Sequence, residues 1–250
     1  MINKWVILNL PKREDRRFIA TATALRLNVP IDHIQFWHGY ALEDFLNFDD
    51  ARSAIKSDMP ELEKLHPEIP ETEQGKFLML WNVARYLRNL AGRPGDIECF
   101  VHDGLALHKP FRPSFKWFED AISEIVEQDP EFKLLTFGLN NSWLAQLKRI
   151  DPITPTSFIT RGILSWDNFG RIYSHRGAQW VLDRMLSQTW GCRCNSLLVK
   201  RIGEDDKWDA NCYSTIQPLG SDYPTEWLGS DSFIGLRRKA LTQDFGRLLG

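Results

Sequence analysis

The sequence predicts an α/β fold in which helices flank a sheet. Short apolar segments alternate with amphipathic segments along the chain, which is typical of strands followed by helices. The chain has 250 residues, of which 43% are hydrophobic and 26% charged, as in ordinary globular domains. In such folds, ligands bind at the carboxyl ends of the strands.

The first elements follow from apolar patterning and from proline and glycine positions. The segment "KWVILNL" (4–10) predicts a buried strand that Pro11 ends. Residues 15–27 predict a helix, and residues 33–40 predict a second strand closed by Gly39. The predicted helix places three apolar residues on one face: Phe18, Ala22 and Leu25.

A polar stretch separates these elements from the clearest helix. Residues 41–73 contain Pro60, Pro67 and Pro70, and this composition predicts a long irregular excursion. Residues 72–92 then predict a helix that Thr72 caps and Gly92 ends. Its apolar residues recur at spacings of three and four: Phe77, Leu80, Ala84, Leu87 and Ala91.

The remainder of the chain continues the alternation of strands and helices. Residues 96–104 predict a strand that ends in an Asp-Gly turn, and residues 132–138 predict another strand. Helices are expected over 114–130 and over 174–187, the second capped by Ser174. We predict a single domain over 1–250, with a helical or lid-like tail at about 236–250.

Composition narrows the function classes. The net charge of −2 and the pI near 6.3 give no general basic field for a nucleic-acid backbone. The ten tryptophans predict an aromatic-rich core, with stacking surfaces for sugars or bases as the alternative. H-E-x-x-H, G-x-S-x-G, P-loop and G-x-G-x-x-G motifs do not occur, which disfavours zincins, common hydrolases, P-loop NTPases and dinucleotide-binding enzymes.

The cysteines and the amino-terminal segment predict a cytoplasmic protein. Four cysteines are too few and too badly spaced for a disulfide framework or a structural zinc site, so we expect reduced thiols at Cys99, Cys192, Cys194 and Cys212. Lys4 interrupts a very short apolar run, so no signal peptide is expected. No run of 18 apolar residues occurs, so no membrane span is expected either.

Two polar clusters follow predicted strands, and in a parallel α/β sheet we expect the carboxyl ends of these two strands to be neighbours that face one crevice. The first is the basic cluster Lys12, Arg13, Arg16 and Arg17, which suits phosphate at a helix start; a solvated helix start is the alternative. The second is His102-Asp103-Gly104, which suits a metal or ligand site; a simple turn is its alternative. The acidic triplet 204–206 is flanked by lysine and arginine and predicts a solvated loop.

These segments resemble, in order, the motifs of family 25 glycosyltransferases, which include lipooligosaccharide β-galactosyltransferases and collagen galactosyltransferases. "LNLPKREDRR" is similar to the opening Ile-Asn-Leu strand and Arg-x-Asp-Arg cluster, and Glu73-Gln74-Gly75 to the Glu-x-Gly helix start. "HDGLALHKPF" stands where the family has Glu-Asp-Asp, and "IYSHRGAQWVLD" resembles its Tyr-Ser-Gly-Ala helix start. "QPLGSD" and "GSDSF" follow in the place of its Pro-Pro-Leu and Ser-Asp elements.

The resemblance implies a GT-A-like, Rossmann-type sheet, a nucleotide-sugar donor, preferably a UDP-sugar, and transfer of a hexose or pentose to a hydroxyl. The implied acceptor is a lipopolysaccharide or capsule glycan, a protein, or a modified base in viral DNA, so DNA is expected only as an acceptor. The implied catalytic residues are Asp103, Asp231 and His102. The implied donor-binding residues are Asn9, Leu10, Arg13, Arg16, Arg17, Gly75 and Ser174.

The sequence departs from the family at its acidic residues. Of the triplet only Asp103 remains, and Asn195 stands where the family often has aspartate. The resemblance implies Mn²⁺ or Mg²⁺ held by Asp103, with His102 as a substitute ligand. The alternative is a cationic clamp that stabilises the leaving diphosphate without metal. A degenerate module that binds a sugar nucleotide or a partner without turnover is the alternative to an enzyme.

Overall fold

The computed structural model describes residues 1–107, 114–137, 159–161, 170–187, 211–215 and 220–222. Within these ranges the helices are α1 Glu14–Arg26, α2 Phe48–Asp58, α3 Pro60–Leu65, α4 Gln74–Ala91, α5 Phe115–Gln128 and α6 His175–Ser187. The strands are β1 Lys4–Asn9, β2 Ile34–His38, β3 Ile97–His102, β4 Leu105–Leu107, β5 Leu134–Thr136, β6 Ile159–Arg161, β7 Gly170–Ser174, β8 Cys212–Thr215 and β9 Gly220–Asp222.

The main sheet has the strand order β2-β1-β3-β7-β5-β8-β6. Strands β2, β1 and β3 are parallel, whereas β7 runs antiparallel to both β3 and β5. Strand β8 is parallel to β5, and β6 is antiparallel to β8. The sheet is therefore mixed, and its parallel part is the part that carries the two polar clusters. A separate antiparallel pair joins β4 to β9.

The two faces of the main sheet are covered by different helices. In β1, Val6 and Leu8 face a core that also contains apolar residues of α2, α3, α4 and α6. Trp5 and Ile7, on the other face, pack with apolar residues of α1 and α5. This alternation of β1 side chains follows from the two-residue period of a strand. The predicted α/β fold, a sheet flanked by helices, is confirmed.

Helix α1 buries a different face from the one its large apolar residues indicate. Phe18 is 77% exposed and Leu25 is 47% exposed, whereas Ala20, Thr23 and Ala24 are buried. Small side chains face the sheet here and leave the large ones outside. The expectation that Phe18, Ala22 and Leu25 lie on one face is geometrically sound, but this face is not the one that packs on the sheet.

The segment 41–73 is largely helical, which corrects the expected irregular excursion. Asn47 caps α2 by accepting a hydrogen bond from the backbone N–H of Asp50 at 3.0 Å. Pro60 does not interrupt structure, because it occupies the first turn of α3, where its missing N–H costs no helical bond. Buried residues of both helices then pack in the same core as α4: Ala51, Ile55 and Leu62.

The other predicted elements lie close to their expected positions. Helix α4 begins after a short 3₁₀ turn at Glu71–Glu73, so Thr72 is not its N-cap, but Gly92 does stand at its carboxyl end. The tail at 236–250 and the acidic triplet 204–206 lie outside the described residues, and the single domain over 1–250 stays a prediction. In the ranges that the structure describes, no helix has the length and apolar character needed to cross a membrane.

Candidate active site at the carboxyl edge of β1 and β3

The two polar clusters meet because β1 and β3 are adjacent parallel strands. Leu8 of β1 stands opposite His102 of β3, so the residues after both strands emerge at the same edge. The backbone N–H of Asp103 donates to the carbonyl of Leu8 at 3.1 Å and extends this pairing past the end of β3. The expectation that these carboxyl ends are neighbours is confirmed. Residues 94 positions apart in sequence thereby form one cluster.

Asp103 is the buried centre of this cluster, with its side chain only 3% exposed. The amide Nδ2 of Asn9 donates to Asp103 Oδ2 at 2.9 Å. The other carboxylate oxygen, Oδ1, lies 3.6 Å from the Nη1 of Arg16. A buried carboxylate is stable only when nearby donors and cations compensate for lost hydration. Asn9 and Arg16, both from the opening motif, provide this compensation.

Arg16 reaches Asp103 because a tight turn joins β1 to α1. The N–H of Arg13 donates to the carbonyl of Leu10 at 2.9 Å, and this turn starts α1 directly above the strand end. The side chain of Arg16, in the first turn of α1, is 20% exposed. Its Nε is shielded from solvent and has no hydrogen-bond partner within the described part of the chain. Arg16 therefore keeps a hydrogen-bond donor unused at the strand edge.

His102 approaches the same carboxylate from the end of β3. Its Nδ1 lies 3.1 Å from Asp103 Oδ1, and the backbone N–H of Gly104 points to the same nitrogen at 3.3 Å. Nδ1 can donate to the carboxylate only when it carries a proton, and it can accept from Gly104 only when it does not. The position of the ring proton, on Nδ1 or on Nε2, thus decides which of the two neighbours Nδ1 binds.

The pKa of Asp103 is lowered by its neighbours in spite of burial. Burial by itself raises the pKa of a carboxyl group, because it disfavours the charged form. The His102 imidazole, the Asn9 amide and the Arg16 guanidinium outweigh this effect and hold the pKa of Asp103 below its ordinary value. The carboxylate is therefore ionised at neutral pH.

The other predicted cations have partners outside this cluster. Arg13 binds Asp15 through its Nε at 3.0 Å and its Nη2 at 2.8 Å. The hydrogen bond from Arg13 is the main reason that the pKa of Asp15 falls to about 2. Arg17 is exposed, with its guanidinium carbon 4.4 Å from the centre of the Phe36 ring. Thus Arg16 is the member of the predicted basic cluster that contacts Asp103.

Asn82 also organises this edge, although it was not among the predicted site residues. Its side chain is fully buried in α4, donates to the carbonyl of Tyr40 and accepts from the N–H of Tyr40, both at 2.9 Å. It therefore holds the chain that leaves β2 beside the β1 end. The sequence signal was an amide inside the apolar run "LMLWNVA" of α4, which suggests a buried polar contact.

Gly75 and Leu10, two of the predicted donor-binding residues, have structural surroundings that can be described without a ligand. Gly75 is exposed at the start of α4, and a Cβ atom added there would meet nothing within 4 Å. The fold itself therefore does not require glycine at this position. Leu10 is half-buried, and its Cδ2 would lie 3.3 Å from a Cβ atom added at Gly39. Leu10 helps to pack the turn that follows β1.

Ser174 does not share the strand edge that carries Asp103 and Arg16. It stands opposite Ile97, the first residue of β3, and therefore lies at the amino edge of that strand, away from Asp103. Its hydroxyl accepts from the N–H of Gly177 at 3.0 Å and donates to the carbonyl of Phe132 at 2.6 Å. Ser174 caps α6, as its position before the helix predicts, and we do not retain it with the arginines.

Among the residues that the structure describes, the donor set around Asp103 does not by itself fit a divalent cation. Within the described ranges, no group of three or more His, Cys, Asp or Glu side chains could hold a metal ion. Mg²⁺ requires six ligands, mostly oxygen, whereas one carboxylate oxygen here is bound by Asn9 and the other faces Arg16. The Mn²⁺ or Mg²⁺ that the resemblance implies stays a prediction, and Asp231, the other implied catalytic residue, lies outside the described residues.

The described cysteines are remote from this chemistry. Cys99 and Cys212 are free and buried in β3 and β8. Burial is the main reason that the pKa of the Cys99 thiol rises well above its ordinary value. A protonated, buried thiol is a poor nucleophile. Cys192 and Cys194 lie outside the described residues.

Comparisons with known proteins give structural similarity without any match in sequence. No family model matches the sequence, and no curated protein matches it. Among solved structures, the chain is similar to the crystal structure of mouse xyloside xylosyltransferase 1 in its apo form, with 8% sequence identity and a TM-score of 0.38. The alignment covers 88% of this chain and 79% of that chain. A similarity this distant assigns neither a family nor an activity.

Proposed function

We propose that the protein is a glycosyltransferase that moves a sugar from a nucleotide-sugar donor to a hydroxyl acceptor. The observation that carries this proposal is the meeting of Asn9, Arg16 and Asp103 at one strand edge. These residues come from the two motifs that the resemblance to family 25 assigns to one donor site. The carboxyl edge of parallel strands is also where α/β proteins bind their ligands.

Arg16 has the chemistry required to bind the donor diphosphate. Its guanidinium is always charged and offers several N–H donors in one plane, which suits phosphate oxygens. The start of α1 adds backbone N–H groups and the positive end of the helix dipole. In the proposed reaction, negative charge builds on the diphosphate as it leaves the sugar, and a positioned cation stabilises that charge. Arg13 can also bind the diphosphate when its guanidinium releases Asp15.

The transfer requires a base for the acceptor hydroxyl. The acceptor oxygen bonds to the anomeric carbon while the bond from that carbon to the diphosphate breaks. The electron pair of the broken bond leaves with the nucleoside diphosphate, and the hydroxyl proton passes to the base. We propose His102 or Asp231 for this role, because a positioned imidazole or carboxylate can accept such a proton. His102 lies at the strand edge with its side chain 21% exposed.

The finer assignments follow from the resemblance and are part of the proposal. The donor is a UDP-sugar, and the acceptor is a lipopolysaccharide or capsule glycan, a protein, or a modified base in DNA. The net charge of −2 favours the first two acceptors over DNA, because a polyanion is attracted by a basic surface. A cytoplasmic location agrees with the nucleotide-sugar donor.

A donor panel tests the proposed function. The protein is mixed with several UDP-, GDP- and CMP-sugars, each with Mg²⁺, with Mn²⁺ or with a chelator, and both nucleotide release and melting temperature are measured. We expect one donor class to raise the melting temperature and to release nucleotide. If no donor binds and none is hydrolysed under any condition, the proposed function is wrong.

A binding module without turnover is the second candidate. The observation that favours it is that Asp103, the residue left from the acidic triplet, is already held by Asn9 and faces Arg16 and His102. Such a carboxylate is poorly placed to do further chemistry. The same panel separates the two candidates, because a module raises its melting temperature with a nucleotide sugar but releases no nucleotide, even when a mixture of glycan acceptors is added.

A further inference from the structure

We infer that Asp103 is a positioning residue that fixes the guanidinium of Arg16 for a diphosphate, so that nucleotide binding at this edge needs no divalent cation. This inference rests on the proposed nucleotide-sugar function and concerns how the same site holds its ligand. It departs from the metal role that the resemblance implies for Asp103, because the surroundings of the carboxylate favour a cationic clamp.

The carboxylate of Asp103 is buried, and both of its oxygens lie against other side chains. Its side chain is 3% exposed, and Oδ2 is bound by the Asn9 amide at 2.9 Å. Oδ1 is shielded from solvent and lies 3.1 Å from Nδ1 of His102 and 3.6 Å from Nη1 of Arg16. A carboxylate that ligates a hydrated cation needs an oxygen directed towards the ion and its water molecules. Neither oxygen of Asp103 has this environment.

Arg16 is the more exposed member of its pair with Asp103. Its side chain is 20% exposed, against 3% for Asp103. The distance of 3.6 Å between Nη1 and Oδ1 is longer than a normal hydrogen bond, so the carboxylate attracts the guanidinium without using up its donors. The Nε donor is also unused within the described part of the chain, but it is shielded from solvent. A phosphate oxygen would therefore bind the remaining N–H donors of the guanidinium.

The charges of the cluster also oppose a second cation. A divalent ion close to Asp103 would stand beside the fixed positive charge of Arg16, and a single carboxylate would have to neutralise both. A diphosphate instead adds negative charge next to a cation that the carboxylate already orients. Neighbouring groups in this cluster are complementary. Asn9 donates to the anion Asp103, Asp103 attracts the cation Arg16, and Arg16 would bind the phosphate, so each group stabilises the next.

Calorimetry with uridine diphosphate and uridine tests this inference on the full chain. Wild-type affinity for each compound is measured with a chelator, with Mg²⁺ and with Mn²⁺. The variants are Arg16→Gln and Asp103→Asn, and each has a matched control with the same charge change elsewhere. The control for Arg16→Gln is Arg26→Gln, at the exposed carboxyl end of α1. The control for Asp103→Asn is Asp32→Asn, just before β2 at the amino edge of the parallel strands.

We expect wild-type affinity for uridine diphosphate to be the same within about twofold in all three conditions. Arg16→Gln should weaken it about 10- to 100-fold, as expected for one charge-assisted phosphate contact. Asp103→Asn should weaken it less, about 3- to 10-fold, because the guanidinium remains but is no longer oriented. Affinity for uridine should not change in either variant, since uridine carries no phosphate, and the two controls should match wild type.

Three outcomes overturn the inference. Binding of uridine diphosphate that requires Mg²⁺ or Mn²⁺ would assign a metal to the site and would leave the proposed glycosyltransferase function intact. Equal losses for uridine and uridine diphosphate in Asp103→Asn would show general damage to the site and not loss of phosphate positioning. Failure of wild type to bind uridine diphosphate in any condition would overturn this inference, and the donor panel would then decide whether the proposed function holds with another nucleotide. The wild-type measurements decide the metal question even if a variant does not fold.

Discussion

Replacement of Asn9 by alanine tests whether the contact between the two motifs stabilises the fold. The Asn9 side chain is buried, and its amide donates to the carboxylate of Asp103 at 2.9 Å. A hydrogen bond to a charged group contributes about 1.5–3 kcal/mol, and its removal leaves a buried carboxylate with one fewer donor. We therefore expect Asn9→Ala to lower the free energy of unfolding by about 2–3 kcal/mol. For a chain of this size, this corresponds to a melting temperature lower by about 4–12 °C.

The effect of Asn9→Ala should depend on pH in a defined direction. The pKa of Asp103 is lowered in the folded state, so its contribution to stability is complete above the unfolded value near 3.9 and is lost as the pH falls through the folded pKa. The variant lowers this pKa less, because one of the groups that stabilise the charged form is gone. The difference in stability between wild type and variant should be largest near pH 7 and should shrink below about pH 4.

Urea unfolding followed by circular dichroism at pH 7 and at pH 3.5 measures both effects. The control is Asn89→Ala, an exposed position in α4 where alanine favours the helix. This control should be as stable as wild type or slightly more stable at both pH values. A change below about 0.5 kcal/mol in Asn9→Ala at pH 7, or a difference that grows as the pH falls, would refute the proposed role of the contact.

Three further predictions concern positions at and away from the edge. Gly177→Ala should destabilise the protein by about 3 kcal/mol or more in urea unfolding, because the new Cβ would lie 1.8 Å from a backbone carbonyl oxygen. The matched control Gly75→Ala, whose new Cβ would meet nothing within 4 Å, should stabilise the protein by up to about 1 kcal/mol. Comparable losses in both would contradict this packing. Ser174→Ala should cost about 1–2 kcal/mol through loss of the α6 cap and leave nucleotide affinity in calorimetry unchanged; weaker binding would return Ser174 to the donor site. Asp15→Asn should change stability at pH 7 by less than about 0.5 kcal/mol, because the ion pair with Arg13 is exposed, and its contribution in wild type should be lost as the pH falls from about 4 towards 2. The same variant should strengthen binding of uridine diphosphate by releasing Arg13, and unchanged or weaker binding would argue against a part for Arg13 in the donor site.

Local patterns were sufficient for the elements whose burial follows a simple period. The apolar run of β1, the stripe of α4 and the serine before α6 each carry their signal within a few residues. The irregular excursion predicted for 41–73 was wrong for two reasons. A proline can begin a helix as well as end one, and Pro60 begins α3. The polar composition of the segment also concealed the few residues that pack against α4. In α1, the large apolar residues indicated one face, but the close approach to the sheet accepts only small side chains on another.

The sequence by itself determined the types of side chain available at the strand ends: an amide and arginines after β1, and an imidazole and a carboxylate after β3. The sequence also determined that residues 4–10 and 96–104 form strands. Because neighbouring parallel strands end at the same edge of a sheet, the polar residues after these strands could be predicted to lie together. Only the tertiary structure decided which members pair, because pairing depends on strand register and on where the turn after β1 starts α1. That geometry brings Arg16 to Asp103, leaves Arg13 with Asp15, and places Ser174 at the opposite edge. Residue types are properties of the chain, whereas partners are set by distances that exist only once the strands lie side by side.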